Sequence, residues 1–171
     1  MGCAHIIFSF VVLTGAIGLS NPHRLLCQDG TIKPEQKWQG MDSRIETPEY
    51  HRIMTAEAWE ALWKRHAAKD DKLPKVDFDQ SMVVVVLPGR SESLRVDSLA
   101  GAKSGDKGIE MTFQLVESDA RTKGGAASYL MVQIPNSKQK LTLKSRLVSP
   151  ADKVRPRPPD AVVKVFDEIK S

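Results

Sequence analysis

Residues 82–87, Met-Val-Val-Val-Val-Leu, decide the fold class of this 171-residue chain. They are six consecutive apolar residues, and four of them are β-branched valines. Such a run predicts a β-strand that is covered on both faces, because a strand with one wet face alternates apolar and polar side chains. Pro88 and Gly89 predict the end of this strand.

An amphipathic helix is predicted upstream of this strand, over residues 56–69. Its inner face is predicted from apolar or aromatic side chains at i, i+3, i+4 and i+7, namely Trp59, Leu62, Trp63 and His66. Thr55 precedes the first helical residue and is a favourable N-cap. Glu60 and Lys64 are spaced for an i, i+4 ion pair on the outer face.

Downstream of the strand, the pattern predicts a β-meander. Residues 109–115 alternate apolar and polar side chains, and residues 94–96, 129–134 and 141–143 are shorter strand candidates. Residues 135–138 are predicted to form a hairpin turn between the last two. The fold class is therefore α+β: a mostly antiparallel β-sheet with one amphipathic helix packed against it.

The N-terminus predicts export. No Lys, Arg, Asp or Glu precedes Arg24, and residues 6–19 are almost wholly apolar. This run is shorter than the roughly 18–20 residues of a membrane span but has the length of a secretory h-region. We expect residues 1–20 to be a signal peptide and the protein to be periplasmic, cell-surface or extracellular. An uncleaved anchor is the alternative, and a lipid anchor at Cys27 is a less favoured one.

The remaining segments are predicted as follows. Residues 21–37 are predicted to be a flexible polar tether, residues 38–148 the folded domain, and residues 149–171 a Pro/Arg-rich linker with a short C-terminal helix. Asp160 is predicted to cap that helix. Its apolar side is formed by Val162, Val163, Phe166 and Ile169.

Residues 138–157 carry most of the excess positive charge, which leaves an anionic-surface binder as one alternative function. Nucleic acid is not an expected partner, because aromatic residues make up 6% of the chain and single-strand binding depends on stacking. The sequence has no metal-ligand spacing and no phosphate-binding loop. We therefore predict no catalytic residues, no cofactor and no metal. The rival hypothesis is an enzyme whose site is assembled from scattered residues such as His51, His66 and Asp77.

Two segments carry a resemblance to a known family. They are Trp59-x-x-Leu62-Trp63 in the helix and Pro74-x-Val76-Asp77-Phe78 before the buried strand. Together with the valine run and residues 129–135, they resemble the C-terminal domain of the PrcB family of bacterial protease complex subunits. The resemblance covers roughly residues 38–146. Where the family often has a T-G-G-Y-like stretch, this chain has residues 90–94, Arg-Ser-Glu-Ser-Leu, so no binding role is carried over to that loop.

The resemblance implies an exported, non-catalytic accessory subunit with a protein partner, in some members a surface protease. It implies no catalytic residues. The family-signature residues Trp59, Trp63, Pro74, Asp77 and Phe78 have a structural interpretation that we prefer to ligand contact. The aromatic residues are predicted to fill the core, the proline to end a segment, and the aspartate to cap a turn.

Overall fold

The computed structural model describes residues 30–68, 71–117, 126–148 and 160–169. These residues form one helix and eight strands. In chain order the elements are β1 (Gln36–Gly40), β2 (Glu49–Ile53), α1 (Ala56–His66), β3 (Ser81–Ser91), β4 (Leu94–Gly105), β5 (Gly108–Glu117), β6 (Ala126–Pro135), β7 (Leu141–Val148) and β8 (Ala161–Phe166). The predicted signal peptide, Cys27 and residues 149–159 lie outside the described residues.

The strands form two four-stranded sheets. Sheet I has the order β1-β6-β3-β2 and sheet II the order β4-β5-β7-β8. Every strand pair is antiparallel except β5–β7, which is parallel. The predicted α+β class, with its mostly antiparallel strands and single helix, is confirmed.

Strand β3 is buried on both faces, as its valine run predicts. Its predicted end at Pro88 and Gly89 is wrong, because after an irregularity in register between Val86 and Gly89 the strand continues to Ser91 in pairing with β6. Met82, Val84 and Val86 point into a core that they share with sheet II, whereas Val83 and Val85 point into a second core beneath α1. The exposed fraction of each of these side chains is 3% or less. The domain therefore has three layers, α1 on sheet I and sheet I on sheet II, and β3 is covered from both sides.

Helix α1 begins where the sequence predicts. The Thr55 side chain accepts a hydrogen bond from the Ala58 N–H, and the Glu60–Lys64 ion pair forms at 2.7 Å. The buried side chains are Trp59, Leu62 and His66, which are predicted inner positions. The helix ends at His66, three residues earlier than predicted, and the Arg44 guanidinium donates to the Ala67 carbonyl just beyond it.

Two predictions about strand connections are wrong. Residues 135–138 do not form a hairpin turn, because β6 lies in sheet I and β7 lies in sheet II. The segment carries the chain from one sheet to the other, and β7 then pairs in parallel with β5. The expected meander is therefore limited to β4 and β5, which form an antiparallel hairpin.

The predicted C-terminal helix is also wrong, since residues 161–166 form strand β8, antiparallel to β7. Asp160 does not cap a helix; its two carboxylate oxygens each accept a 2.7 Å hydrogen bond from Arg146 on β7. The start of the folded part also differs from the prediction. Ile32 lies in the core and β1 begins at Gln36, so residues 32–37 belong to the domain and not to a tether.

Within the described ranges, no helix is both long enough and apolar enough to cross a bilayer.

Candidate binding site

A row of aromatic rings runs along the inner face of α1. Trp59 contacts Trp38 of β1 on one side and Trp63 on the other, at centroid distances of 5.6 and 5.2 Å. Trp63 contacts His66 at 5.4 Å, and His66 contacts Tyr129 of β6 at 4.3 Å. The row is most deeply buried at Trp59 and ends at the C-terminal end of α1, where Trp63 and Tyr129 are only half-buried.

The segment after α1 supports this row. Trp59 is 2% exposed, and its indole N–H donates to the Pro74 carbonyl at 3.0 Å. Phe78 is half-buried and packs against the core beneath α1. The Asp77 carboxylate accepts from the Asp79 N–H, and the Asp77 carbonyl accepts from Ser81, so Asp77 holds the turn that leads into β3.

The structure does not bring together the residues of the rival enzyme hypothesis. His51 on β2 bonds to Glu49 at 2.8 Å, His66 bonds to Ser43, and Asp77 is engaged in its turn. No hydrogen bond, ion pair or ring contact joins any two of the three within the described ranges.

Two of the four cations in the described part of the basic segment are paired with neighbouring acids. Lys144 lies 2.6 Å from Glu110, and Arg146 pairs with Asp160. These cations belong to cross-strand pairs on sheet II, which does not favour an anion-binding surface on β7.

His66 is fixed by a residue that the sequence does not single out. The Ser43 hydroxyl lies 3.0 Å from His66 Nδ1 and accepts a 3.1 Å hydrogen bond from the Ile45 N–H. Because the hydroxyl proton still needs an acceptor, we assign Ser43 as the donor to Nδ1, which leaves the imidazole proton on Nε2. Ser43 is 5% exposed, and its oxygen already accepts from Ile45, so the pair fixes the loop and is poorly placed for attack on a substrate.

The same loop is bonded to the end of α1 and to β6. The Arg44 N–H donates to the His66 carbonyl, and the Ser43 N–H donates to the Ala127 carbonyl, both at 3.0 Å. These bonds place Asp42 beside Tyr129. A Cβ at Gly40 would lie 2.7 Å from Tyr129 Cε1 and 2.8 Å from Asp42 Oδ1. The Tyr129 ring and the Asp42 carboxylate therefore both pack against the Cα of Gly40.

A second carboxylate approaches from the chain that leaves α1. Asp71 accepts a hydrogen bond from the Ala68 N–H at 2.9 Å, and its carbonyl accepts one from the Trp63 indole at 3.4 Å. Neither Asp42 nor Asp71 has an ion-pair partner among the residues that the structure describes. We call the group of Asp42, Trp63, His66, Asp71 and Tyr129 the aromatic-acidic corner.

The charges of Asp42 and Asp71 affect the pKa values of the last two rings of the row, His66 and Tyr129. Burial lowers the pKa of His66, and the negative charges of Asp42 and Asp71 oppose that shift. Burial and the same two charges raise the pKa of the Tyr129 phenol.

Exposed apolar side chains flank the corner. Met41 precedes Asp42 and is 40% exposed, and Leu73 follows Asp71 by two residues and is 42% exposed. Large apolar side chains at the surface cost little singly, but grouped around polar atoms they are typical of contact surfaces. Met41 Sδ lies 3.6 Å from a guanidinium nitrogen of Arg95 on β4, so Met41 also borders a positive charge. The corner thus combines half-buried rings and two carboxylates, with one exposed apolar residue close to each carboxylate in sequence.

Comparison with known proteins adds no family. No family model, no curated protein and no solved structure matches this chain. In the part of the chain that the structure describes, no group of three or more His, Cys, Asp or Glu side chains is placed to hold a metal ion.

Sequence reasoning missed most of this site. It placed Trp63 and His66 on one helix face, but it did not select Asp42, Ser43, Asp71 or Tyr129. The adjacent acids at residues 70 and 71 and the Met-Asp pair at residues 41 and 42 were visible, but nothing in their spacing links them. The pairing of β1 with β6, which sets Gly40 opposite Tyr129, joins positions that are 87 residues apart, from Asp42 to Tyr129.

Proposed function

We propose that this chain is an exported, non-catalytic accessory module whose task is to bind a protein partner through the aromatic-acidic corner. The observation that carries the proposal is the corner itself. It combines two carboxylates without ion-pair partners among the described residues and two half-buried rings, and the exposed residues Met41 and Leu73 are close to the two carboxylates in sequence. Contact surfaces of this kind bury an aromatic or apolar centre inside a polar rim.

The rigidity of the corner supports the same proposal. Loop 42–45 is bonded to α1 through Ser43 and Arg44, and to β6 through the Ser43 N–H. A surface that is already ordered before it binds loses less conformational entropy on association. The corner residues are therefore better suited to recognition than a mobile loop of the same composition.

The kind of partner is proposed from the sequence. The apolar residues 6–19 predict export, and the resemblance to PrcB-like subunits implies a secreted or surface protease as partner. An uncleaved signal or a lipid anchor at Cys27 would keep the module at a membrane. The loop at residues 90–94 departs from the family pattern, so the corner and not this loop is the proposed contact.

The experiment is co-purification of the tagged chain at native abundance from its source cells. The expected result is a specific secreted protein, identified by mass spectrometry, whose recovery is lost in Asp42→Lys/Asp71→Lys and kept in the matched variant Asp97→Lys/Asp106→Lys. Both control positions are exposed aspartates on or next to β4. A solitary protein, or a partner recovered equally with both variants, would contradict the proposal.

A further inference from the structure

We propose that His66 is a pH-sensitive switch that keeps loop 42–45 bonded to the end of α1 at neutral pH and releases the loop when the imidazole is protonated. Its basis is the hydrogen bond between His66 Nδ1 and the Ser43 hydroxyl, together with the burial of both residues. The switch is a property of the fold and does not need a partner. Regulation of partner binding by it is a consequence that rests on the proposed function.

The loop is anchored to His66 at two points. The Ser43 hydroxyl lies 3.0 Å from Nδ1, and the His66 carbonyl accepts a 3.0 Å hydrogen bond from the Arg44 N–H. The Ser43 oxygen also accepts from the Ile45 N–H at 3.1 Å. Three consecutive residues of the loop therefore depend on His66, either directly or through Ser43.

Protonation reverses the role of Nδ1 in this arrangement. In the neutral ring Nδ1 accepts the Ser43 hydroxyl proton, whereas in the imidazolium both ring nitrogens are donors. The Ser43 hydroxyl must then turn away from the ring, but Ser43 is 5% exposed and its oxygen is already held by the Ile45 N–H. A buried hydroxyl that loses its acceptor is destabilising. The closed loop thus matches the neutral ring and not the charged one.

Burial acts in the same direction. His66 is 3% exposed, and its ring contacts the rings of Trp63 and Tyr129 at centroid distances of 5.4 and 4.3 Å. These rings keep water away from the charge that protonation creates, and burial lowers the pKa of His66. Release of the loop returns water to the imidazole, so its pKa moves back towards the ordinary value of about 6.5.

The charged groups near the ring act in both directions. Asp42 and Asp71 favour the imidazolium, as does the position of His66 at the C-terminal end of α1. The Arg44 guanidinium, which donates to the carbonyl just beyond the helix, adds a like charge. Burial outweighs the favourable contributions, so the closed loop is most stable above about pH 6.5 and loses stability as the pH falls below it. The cations of the last turn of α1 are in ion pairs with carboxylates, Lys64 with Glu60 and Arg65 with Glu49.

The test is hydrogen exchange of single amides in the ¹⁵N-labelled 171-residue chain, followed by NMR from about pH 7.5 to about pH 5.5. Protection factors, measured where reclosing is faster than exchange, give the opening equilibrium of each amide. The Ser43 and Arg44 amides report the loop, and the Val84 amide in β3 reports the whole domain. We expect the loop amides to be less protected than Val84 at every pH. Their protection should fall by up to about tenfold for each pH unit below 6.5, the limit for uptake of one proton.

Two variants make the test specific. His66→Gln cannot titrate, and its amide oxygen can still accept from Ser43, so protection of the loop should no longer fall below pH 6.5. His51→Gln is the matched control, because it removes the histidine of β2 that is bonded to Glu49, and it should behave like the original chain. Since His66→Gln alters a buried side chain, a second measurement uses the original chain. The imidazole signals of His66 should change over the same pH range as the protection of the loop.

Three results would overturn the inference: loop protection that is independent of pH in the original chain, loop protection that follows pH equally in His66→Gln, or loop protection equal to that of Val84 at every pH. The last result would mean that the loop opens only when the whole domain unfolds.

The outcomes also separate the switch from the proposed function. If exchange shows the switch but no partner is recovered from cells, the switch stands and the accessory role fails. If a partner is recovered while loop protection is independent of pH, the accessory role stands and the switch fails. A partner that leaves the original chain on acidification and stays on His66→Gln would show that the switch regulates the corner.

Discussion

Replacement of Trp59 with alanine tests the packing that connects α1 to sheet I. Trp59 is 2% exposed, contacts Trp38 and Trp63, and donates its indole N–H to the Pro74 carbonyl. Trp63 lies one turn further along the same helix, is only half-buried, and makes a longer indole bond of 3.4 Å. The two tryptophans therefore form a matched pair that differs mainly in burial.

The magnitude follows from the buried area. A buried tryptophan removes about 200 Å² from water, which at about 25 cal/mol per Å² corresponds to about 5 kcal/mol, an upper estimate. Measured tryptophan-to-alanine losses in cores are about 3–5 kcal/mol. We expect Trp59→Ala to lose about 4 kcal/mol of the free energy of unfolding, and Trp63→Ala less than half of that.

Trp59→Phe separates the hydrogen bond from the packing. It keeps most of the aromatic volume but leaves the Pro74 carbonyl without its indole donor. We expect a loss of about 2 kcal/mol, of which the hydrogen bond contributes about 1 kcal/mol.

The assay is urea unfolding followed by far-UV circular dichroism, since tryptophan fluorescence changes with the substitution itself. Free energies are compared only where the dependence on urea is unchanged between variants. A Trp59→Ala loss below about 1 kcal/mol, or one no larger than that of Trp63→Ala, would refute the packing on which the three-layer description depends.

Three further predictions address other parts of the molecule. Burial lowers the pKa of His66, so the unfolded state binds a proton on this ring more readily than the folded state does. The free energy of unfolding should therefore be highest above the ordinary histidine pKa of about 6.5 and fall as the pH is lowered through it. His66→Gln should flatten this part of a plot of Tm against pH, and an unchanged slope would contradict the role of burial. Arg52→Lys should lower the free energy of unfolding in urea by about 1–3 kcal/mol, because the guanidinium donates to the Ser137, Gln139 and Asp167 carbonyls and an ammonium cannot reach all three. A loss within error of zero would show that these bonds do not hold the segments after β6 and β8 against β2. Gly89→Ala should lower the free energy of unfolding by about 2 kcal/mol or more, since the φ of Gly89 is +85° and a Cβ would lie 2.7 Å from the Glu46 carbonyl oxygen. Gly101→Ala is the control and should be close to neutral, because a Cβ there meets open space.

Local pattern was sufficient for some elements because their causes are local. The valine run predicted a strand covered on both faces, and β3 has one core on each side. Thr55 and the tryptophan spacing predicted the start and the inner face of α1, because capping and helical periodicity act within one or two turns.

Residues 160–169 show where local pattern failed. Val162, Val163, Phe166 and Ile169 have helical spacing, but the same segment is rich in β-branched residues and forms β8. The edge of β7 needs a hydrogen-bonding partner, and Arg146 holds Asp160 beside it. A neighbour distant in sequence thus outweighed the helical period.

The sequence by itself determined which segments are apolar on one face or on two, and where α1 begins, because those properties depend on residues within a few positions of each other. The tertiary structure alone decided that β6 and β7 lie in different sheets, that Ser43 bonds to His66, and that the charges of Asp42 and Asp71 both act on Tyr129. The physical reason is that these contacts join segments whose separation along the chain carries no periodic signal. They form only when the strands of the two sheets pair and α1 packs on sheet I, which buries Trp59 between them.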